Sequence, residues 1–274
     1  MKYILLIPIS LFFCLFTIWP LGQLVYLSLY KTNFITSVFV GFNNYINIFS
    51  NKDFLLSISN SLFYAMLLVP GQIIISLLFA LFVYNMKKHW LDITRIFTYL
   101  PVLSAGIIIA QSWQWIFKFE GPINWLLSLV KINPVNWFGQ GYTSIPVISF
   151  IVIISTMGTN VIILLASILS IDKSLLEAAK IDSASENQIK LFIIIPMIKN
   201  TLILIGLLSA INAFQIFEYI YSLSSNAYTA TVTYNIFASG FMYSKYGESA
   251  AQAIILLIVT IILSLFKKRF ENEK

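Results

Sequence analysis

Residues 177–198 read EAAKIDSASENQIKLFIIIPMI. The first half carries Glu177, Lys180, Asp182, Glu186 and Lys190 among small and apolar residues, and the second half is almost wholly apolar. Apolar runs at 145–170 and 200–222 flank it. Each is long enough to cross a hydrocarbon core, which takes about 20 residues of helix. A charged, amphipathic island between two such runs is a segment that leaves a membrane and returns to it. The whole chain fits a bilayer as solvent. Hydrophobic residues make up 59% of its 274 residues, charged residues 10%, and the mean hydropathy is +0.86. A soluble domain carries about a quarter charged residues. A chain this apolar could not cover its surface with polar groups in water.

Working outward from the island, six stretches are long and apolar enough to span: about 3–29, 60–85, 95–117, 145–170, 200–222 and 249–266. The first follows Lys2 like a signal peptide, but it is too long for a signal core, and no small-x-small cleavage site follows it. It reads as a retained span. With the N-terminus inside, the outer loops hold Lys31, Lys52, Lys118, Lys131 and Lys245. The inner side then holds the other twelve of the 17 Lys and Arg residues, Lys2 and Lys274 among them. Basic residues favour the cytoplasmic side, so both termini and the island at 172–198 are expected in the cytoplasm. Trp113, Trp115, Trp125 and Trp137 cluster at the outer end of the third span and just beyond it, the headgroup level that such rings prefer. Ile123 to Lys131, after Pro122, is either a short helix on the outer surface or an irregular loop. No linker, second domain or internal repeat divides the chain. The expectation is one all-α integral membrane domain, 1–274, in a cell membrane and in contact with lipid.

The island has its own punctuation. Ser174-Leu175-Leu176-Glu177 fits a capping box that would start a helix through Ala178, Ala179 and Lys180. Asp182-Ser183 breaks the run. Ser183-Ala184-Ser185-Glu186 fits a second box, starting a short helix through about Ile194. Pro196, which lacks an amide donor, suits a bend as the chain re-enters the membrane. Two short helices around a turn make a plausible rigid lever.

Several chemistries are excluded. The basic residues lie singly or at the ends of apolar runs, a topology signal and not a nucleic-acid face. One cysteine, Cys14, and one histidine, His89, cannot build a disulfide or a Cys/His metal cluster. Cys14 reads as a packing residue in the membrane, since bulky Phe13 makes a poor lipidation site. No constellation suggests acid–base catalysis. A membrane enzyme or a receptor remains the alternative class, and an enzyme would turn over substrate alone. The chain has no G-x-x-x-x-G-K-[S/T] loop to cradle phosphates, and no Gly is followed by Lys.

The island resembles the EAA signature of the membrane subunits of ABC importers, in which EAA-x-I-D-G-A is followed about a dozen residues on by an apolar–Pro pair. The likeness extends over about 3–266. Phe39-Val40-Gly41-Phe42-Asn43-Asn44-Tyr45 is similar to a V-G-x-x-N-Y segment. Arg95-Ile96-Phe97, Leu100-Pro101 and Trp113-Gln114-Trp115-Ile116-Phe117 resemble the family's third span. Gly158-Thr159-Asn160, with Ala166 to Ile171, resembles the run before the signature. Ala213-Phe214-Gln215 with Phe217-Glu218 and Tyr221 resembles the fifth span, and Tyr246-Gly247-Glu248-Ser249-Ala250 the opening of the sixth. This is the carbohydrate (maltose/glycerol-phosphate) type, in its first-permease form. Two positions depart from the signature. Ser183 stands where Gly, suited to a positive φ, is usual, and Ile195 stands where Leu commonly precedes the proline. The usual Gly-Gly-Pro loop after the fifth span is replaced by Ser224-Ser225-Asn226-Ala227-Tyr228.

The resemblance implies the type I ABC importer permease fold with six transmembrane helices and a cytoplasmic coupling helix. It implies that Glu177, Ala178, Ala179, Asp182, Ser183 and Pro196 couple the membrane part to an ATPase. The implied partners are an ATP-binding subunit dimer, a second homologous permease and an extracellular solute-binding protein. The chain itself would hold no cofactor, with ATP and Mg in the partner ATPase. Polar residues inside spans mark a solute path or interhelical hydrogen-bond glue. Candidates are Gln111, Gly158, Asn160, and Ser209, Asn212 and Gln215 at three-residue spacing, followed by Glu218 and Tyr219. Amides, hydroxyls and an aromatic face suit a sugar. Glu218 could equally serve as a salt-bridge partner at the outer surface.

Overall fold

The computed structural model describes the backbone of residues 6–33, 35–139 and 141–271, and the side chains of these except at 6, 141–142 and 266–271. Lys2 and Lys274, two of the charges in the topology count, lie outside the described residues, as do residues 3–5 of the first expected span. Helix dominates, because a backbone in hydrocarbon must satisfy its polar groups within each segment. The chain begins with α1 (Ile7–Ser28). A two-stranded antiparallel hairpin follows, β1 (Tyr30–Thr32) on β2 (Ser37–Phe39), with Tyr30 opposite Phe39. Next come α2 (Asn43–Ser50), α3 (Lys52–Val83), α4 (Lys88–Tyr99), α5 (Gly106–Ile116) and α6 (Pro122–Leu129). Then follow α7 (Gly141–Leu169), α8 (Lys173–Ile181), α9 (Glu186–Met197) and α10 (Lys199–Gln215). The chain closes with α11 (Glu218–Leu223), α12 (Val232–Phe237) and α13 (Tyr246–Glu271).

Four helices are long and apolar enough to cross a membrane: Ile7–Ser28, Lys52–Val83, Thr143–Leu169 and Tyr246–Leu265. The third and fifth expected spans are not single helices. Lys88–Leu103 bends by 97° into Gly106–Ile116, and Glu186–Met197 bends by 67° into Lys199–Gln215. At the first break, Pro101 sits in a tight turn over Leu100–Leu103, and Ser104 and Ala105 are extended. The fifth stretch breaks again after Gln215, where Ile216 leaves the helical region before α11. The hairpin departs from the all-α expectation. The short outer helix is present as α6, and Asn124 pins it. Its side-chain amide donates to the carbonyls of Lys118, Phe119 and Val135, and its oxygen accepts from Val135 N and Trp137 Nε1. Of the four tryptophans expected at headgroup level, Trp115 and Trp125 are exposed. Trp113 packs on Phe117 and Phe150, and Trp137 on Phe117.

Three apolar clusters hold the bundle. Tyr64, Leu68, Ile148, Ile151, Ala213 and Ile220 centre one between α3, α7, α10 and α11. Ala80, Leu164, Ile168, Ile194, Ile198 and Ile205 centre another at the opposite end of α3 and α7. Phe54, Phe214, Val232 and Ala251 join the start of α3 to α10, α12 and α13. Helix α1 stands outside these clusters; it packs along α13, and Asn44 and Tyr45 of α2 donate to Ser28 O and Ser28 Oγ at its end. Cys14 on it is exposed, so it is not a packing residue within this chain.

Candidate functional site

The charged island forms two helices joined by a turn, with caps displaced from the expected ones. Helix α8 is capped by Asp172, whose carboxylate accepts the Ser174 amide at 3.0 Å, and not by Ser174. Asp is as good a cap as Ser, and Asp172 stands two residues before Ser174, so the helix starts sooner. The Ser174 backbone amide, followed by its hydroxyl, holds the Asp172 carboxyl below the usual carboxylate range. Glu177 therefore lies mid-helix, exposed, with no cap role. The C-terminus closes in a Schellman arrangement. Ser183 N–H donates to Lys180 O at 3.1 Å and Ala184 N–H to Ala179 O at 3.0 Å, with Ser183 at φ 61°. Serine thus adopts the left-handed turn for which glycine is the usual residue. The second capping box is Ser185 with Gln188, two residues beyond the expected one. Gln188 Oε1 accepts the Ser185 amide at 2.7 Å, and Ser185 Oγ accepts the Gln188 amide at 3.4 Å.

The pair of helices sits firmly on the bundle. Leu176, Ala179 and Ala184 pack against the cluster around Leu164 and Ile198. Lys190 Nζ stands 5.8 Å above the Tyr84 ring at the end of α3. The outward face carries Glu177, Ala178, Asp182 and Ile181, the last 82% exposed. Ile181 was not among the expected docking residues. A bulky apolar side chain beside Asp182 in a polar segment was the available signal. Pro196 is exposed near the end of α9, after a wide π-type turn over Lys190–Ile194. That turn accommodates the missing amide. The sharp bend falls two residues later, at Ile198 (φ −93°, ψ 10°).

The expected solute-path residues divide into two groups. Three are packing residues. Asn160 Nδ2 donates to Gln72 Oε1 at 2.6 Å, and Gln72 Nε2 donates in turn to Thr156 Oγ1 at 2.5 Å, so these buried amides fasten α7 to α3. Gly158 lies under α4, where a Cβ would come within 2.1 Å of the Thr98 carbonyl oxygen. Ser209 is buried and donates to its own helix at Ile205 O, 2.8 Å away. Asn212 and Tyr219 are half-buried. The shared face of Ser209, Asn212 and Gln215 is therefore not one exposed stripe.

Gln111, Gln215 and Glu218 form the second group, and all are exposed. Gln111 and Glu218 lie on α5 and α11, which pack together, and Gln215 ends α10 three residues before Glu218. Glu218 opens α11, and its Oε2 would stand 2.0 Å from a Cβ on Gly106, the first residue of α5. Only a glycine admits the carboxylate so close to that first turn, which has no side-chain cap. Gln114 Nε2 donates to Ser222 O at 3.4 Å one helix turn further along. Gln114, missed as a site residue, thus extends a polar strip with Gln111, Gln215 and Glu218 between exposed Ile107, Ile108, Trp115 and Tyr221. Exposed amides and a carboxylate in a membrane-level segment call for water or another protein beside them. Among the described residues, no group of three or more His, Cys, Asp or Glu could hold a metal ion.

The fold is that of an ABC importer permease. A bacterial ABC transporter that imports the acidic polysaccharide alginate superposes with a TM-score of 0.87 at 23% identity, over 100% of this chain and 96% of that one. An amino acid ABC transporter chain aligns over 84% of this chain with a TM-score of 0.55. No family model matches. Among curated proteins, the chain is 29% identical to the trehalose/maltose transport system permease protein MalF of Thermococcus litoralis, over 96% of this chain and 90% of that protein. It is 27% identical to the arabinooligosaccharides permease AraP of Bacillus subtilis, over 99% and 88%. It is also 27% identical to the sn-glycerol-3-phosphate permease UgpA of Yersinia pestis, over 100% and 95%. The resemblance to carbohydrate-type ABC importer permeases is borne out along the whole chain.

Proposed function

We propose that this chain is the permease subunit of an ATP-driven, binding-protein-dependent importer of a neutral carbohydrate. The bent pair from Lys88 to Ile116 counts as one crossing and the stretch from Lys199 as another, which gives six spans with both termini in the cytoplasm, in keeping with the placement of the basic residues. The chain forms half of an alternating-access pathway and pairs with a second homologous permease. A solute-binding protein delivers cargo from outside. ATP and Mg are bound by a separate ATPase dimer, so the chain is not itself an enzyme and holds no cofactor. The segment at 172–198 is the coupling helix. The observation that carries this reading is the seat of α8. Capped at Asp172 and closed at Ser183, it is fixed to α3, α7 and α10 by one apolar cluster, while Glu177 and Ile181 face outward. Movement imposed on that face would pass to three spans as a rigid body.

A glycerol-phosphate importer is the second reading, favoured by the likeness to the UgpA permeases. Recognition of a phosphate asks for Lys or Arg. The strip of Gln111, Gln114, Gln215 and Glu218 offers amides and a carboxylate instead. The test is purification of the complex from its native host, followed by uptake of labelled trehalose, maltose, arabinooligosaccharides and glycerol 3-phosphate in cells with and without the chain. Co-purification with an ATPase and chain-dependent uptake of a neutral sugar are expected. Chain-dependent uptake of glycerol 3-phosphate alone would select the second reading, and a complex free of any ATPase would refute both.

A further inference from the structure

The hairpin between α1 and α2 encloses, with the first turn of α13, a cavity of about 440 Å³ that the transport reading does not use. Gly247 presses α13 against β1, since a Cβ there would meet the Tyr30 carbonyl, and Asn44 Nδ2 ties the same strand by donating to Ser28 O and Tyr30 O at 2.7 and 3.0 Å. The walls carry Lys31, Asn33, Thr36, Ser244 and Lys245. Lys245 pairs with Glu248 at 3.3 Å, whereas Lys31 makes no ion pair among the described residues. Two lysines face one carboxylate, so the cavity has an excess positive charge with hydroxyls and amides around it.

Its level is fixed by the helices. Span α1 ends at Ser28 and span α13 begins at Tyr246, so the cavity lies at one membrane–water boundary whichever way the chain is oriented. Next to its walls, exposed Tyr26 and Phe39 flank the Tyr30 ring at centroid distances of 4.4 and 5.3 Å, and exposed Tyr243 precedes Ser244 in the chain, as expected of side chains at headgroup level. We propose that this cavity holds the phosphate of an anionic phospholipid, its glycerol and chains running over the aromatic rim onto α1. The inference rests on the chain's spanning a membrane, and not on its cargo, coupling segment or orientation.

The test is native mass spectrometry of the purified importer complex after exchange into mixed micelles of phosphatidylglycerol and phosphatidylcholine. Wild type should retain phosphatidylglycerol in preference. Lys31→Gln should lower that retention about fivefold, and Lys31→Glu further, as expected for a basic residue at a lipid surface. Lys118→Gln, which removes a lysine after α5, should not change it. The proposal is overturned if Lys31→Gln retains phosphatidylglycerol like wild type, if phosphatidylcholine is retained equally, or if Lys118→Gln has the same effect. Millimolar inorganic phosphate is the remaining arm. Displacement of the lipid by it at comparable concentration would make the site one for a free anion and would overturn the lipid assignment. Intact assembly of each variant complex is checked in the same spectra.

Discussion

The charged segment at 172–198 and the joint between α5 and α11 are both breaks in apolar helix, yet they are built in opposite ways. The first is held by neighbours in the chain: Asp172 on Ser174, Ser183 on Lys180, Ser185 on Gln188. The second is held by residues over a hundred positions apart, Gly106 against Glu218 and Gln114 on Ser222. A helix pair with its own caps can move as one piece on its apolar seat. A joint made from two chain breaks changes only when both helices move. One region therefore suits transmission of force, and the other suits a polar surface that opens and closes.

The contrast breaks first at the packing that both regions share. Gly158→Leu would drive a side chain into the Thr98 backbone between α4 and α7, and overpacking there should cost about 3 kcal/mol or more. Little folded protein should reach the membrane, as measured by fluorescence-detected size exclusion. A normal yield would show that α4 does not rest on α7.

Glu177→Ala comes next. Because Glu177 makes no cap, helix stability should stay near wild type while uptake falls about tenfold, as for loss of one contact of ~1.4 kcal/mol. Ile181→Asp should act in the same way. Ser185→Ala, which removes a true cap, should instead lower stability by about 1 kcal/mol and spare more of the uptake. If Glu177→Ala and Ser185→Ala behave alike in uptake and melting, the outward face is not the docking face.

At the joint, Gln215→Leu and Gln111→Leu should reduce uptake severalfold without loss of stability, since both side chains are exposed. Asn160→Leu should do the reverse. It leaves Gln72 Oε1 unpaired, at a cost of about 1–2 kcal/mol in melting temperature assays, with cargo affinity unchanged. Equal loss of uptake in all three would restore Asn160 to the solute path.

The smallest effects are at the turn and the cap. Ser183→Gly should raise stability by about 1 kcal/mol or less, because glycine adopts φ 61° without strain. A fall would mean that the Ser183 side chain has a partner in the assembled importer. The Asp172 carboxyl is depressed in the folded chain, so its cap is present above the ordinary value of 3.8 and is lost as pH falls through the depressed one. The protection factor of the Ser174 amide should fall in that acid window and stay flat from pH 5 to 8.

The sequence by itself determined the solvent, the number of apolar stretches and the place of the charged island. Composition and run length are sums over neighbouring residues, and the bilayer leaves helix as nearly the only answer to them. The turn at Ser183 was legible for the same local reason, helix α6 was one of two readings of its segment, and each cap was read two residues away from its place. Competing Ser and Asp residues all satisfy the same rule. Tertiary structure alone decided which polar residues face out. Asn160 and Gln215 look alike in a chain of apolar neighbours, and only the position of Gln72 on α3 makes the first a fastening and leaves the second free. The same holds for Gly158 and Gly106, whose meaning depends on Thr98 and Glu218 arriving from other helices. Burial and contact are pairwise properties of distant segments, and no local pattern encodes which segments will meet.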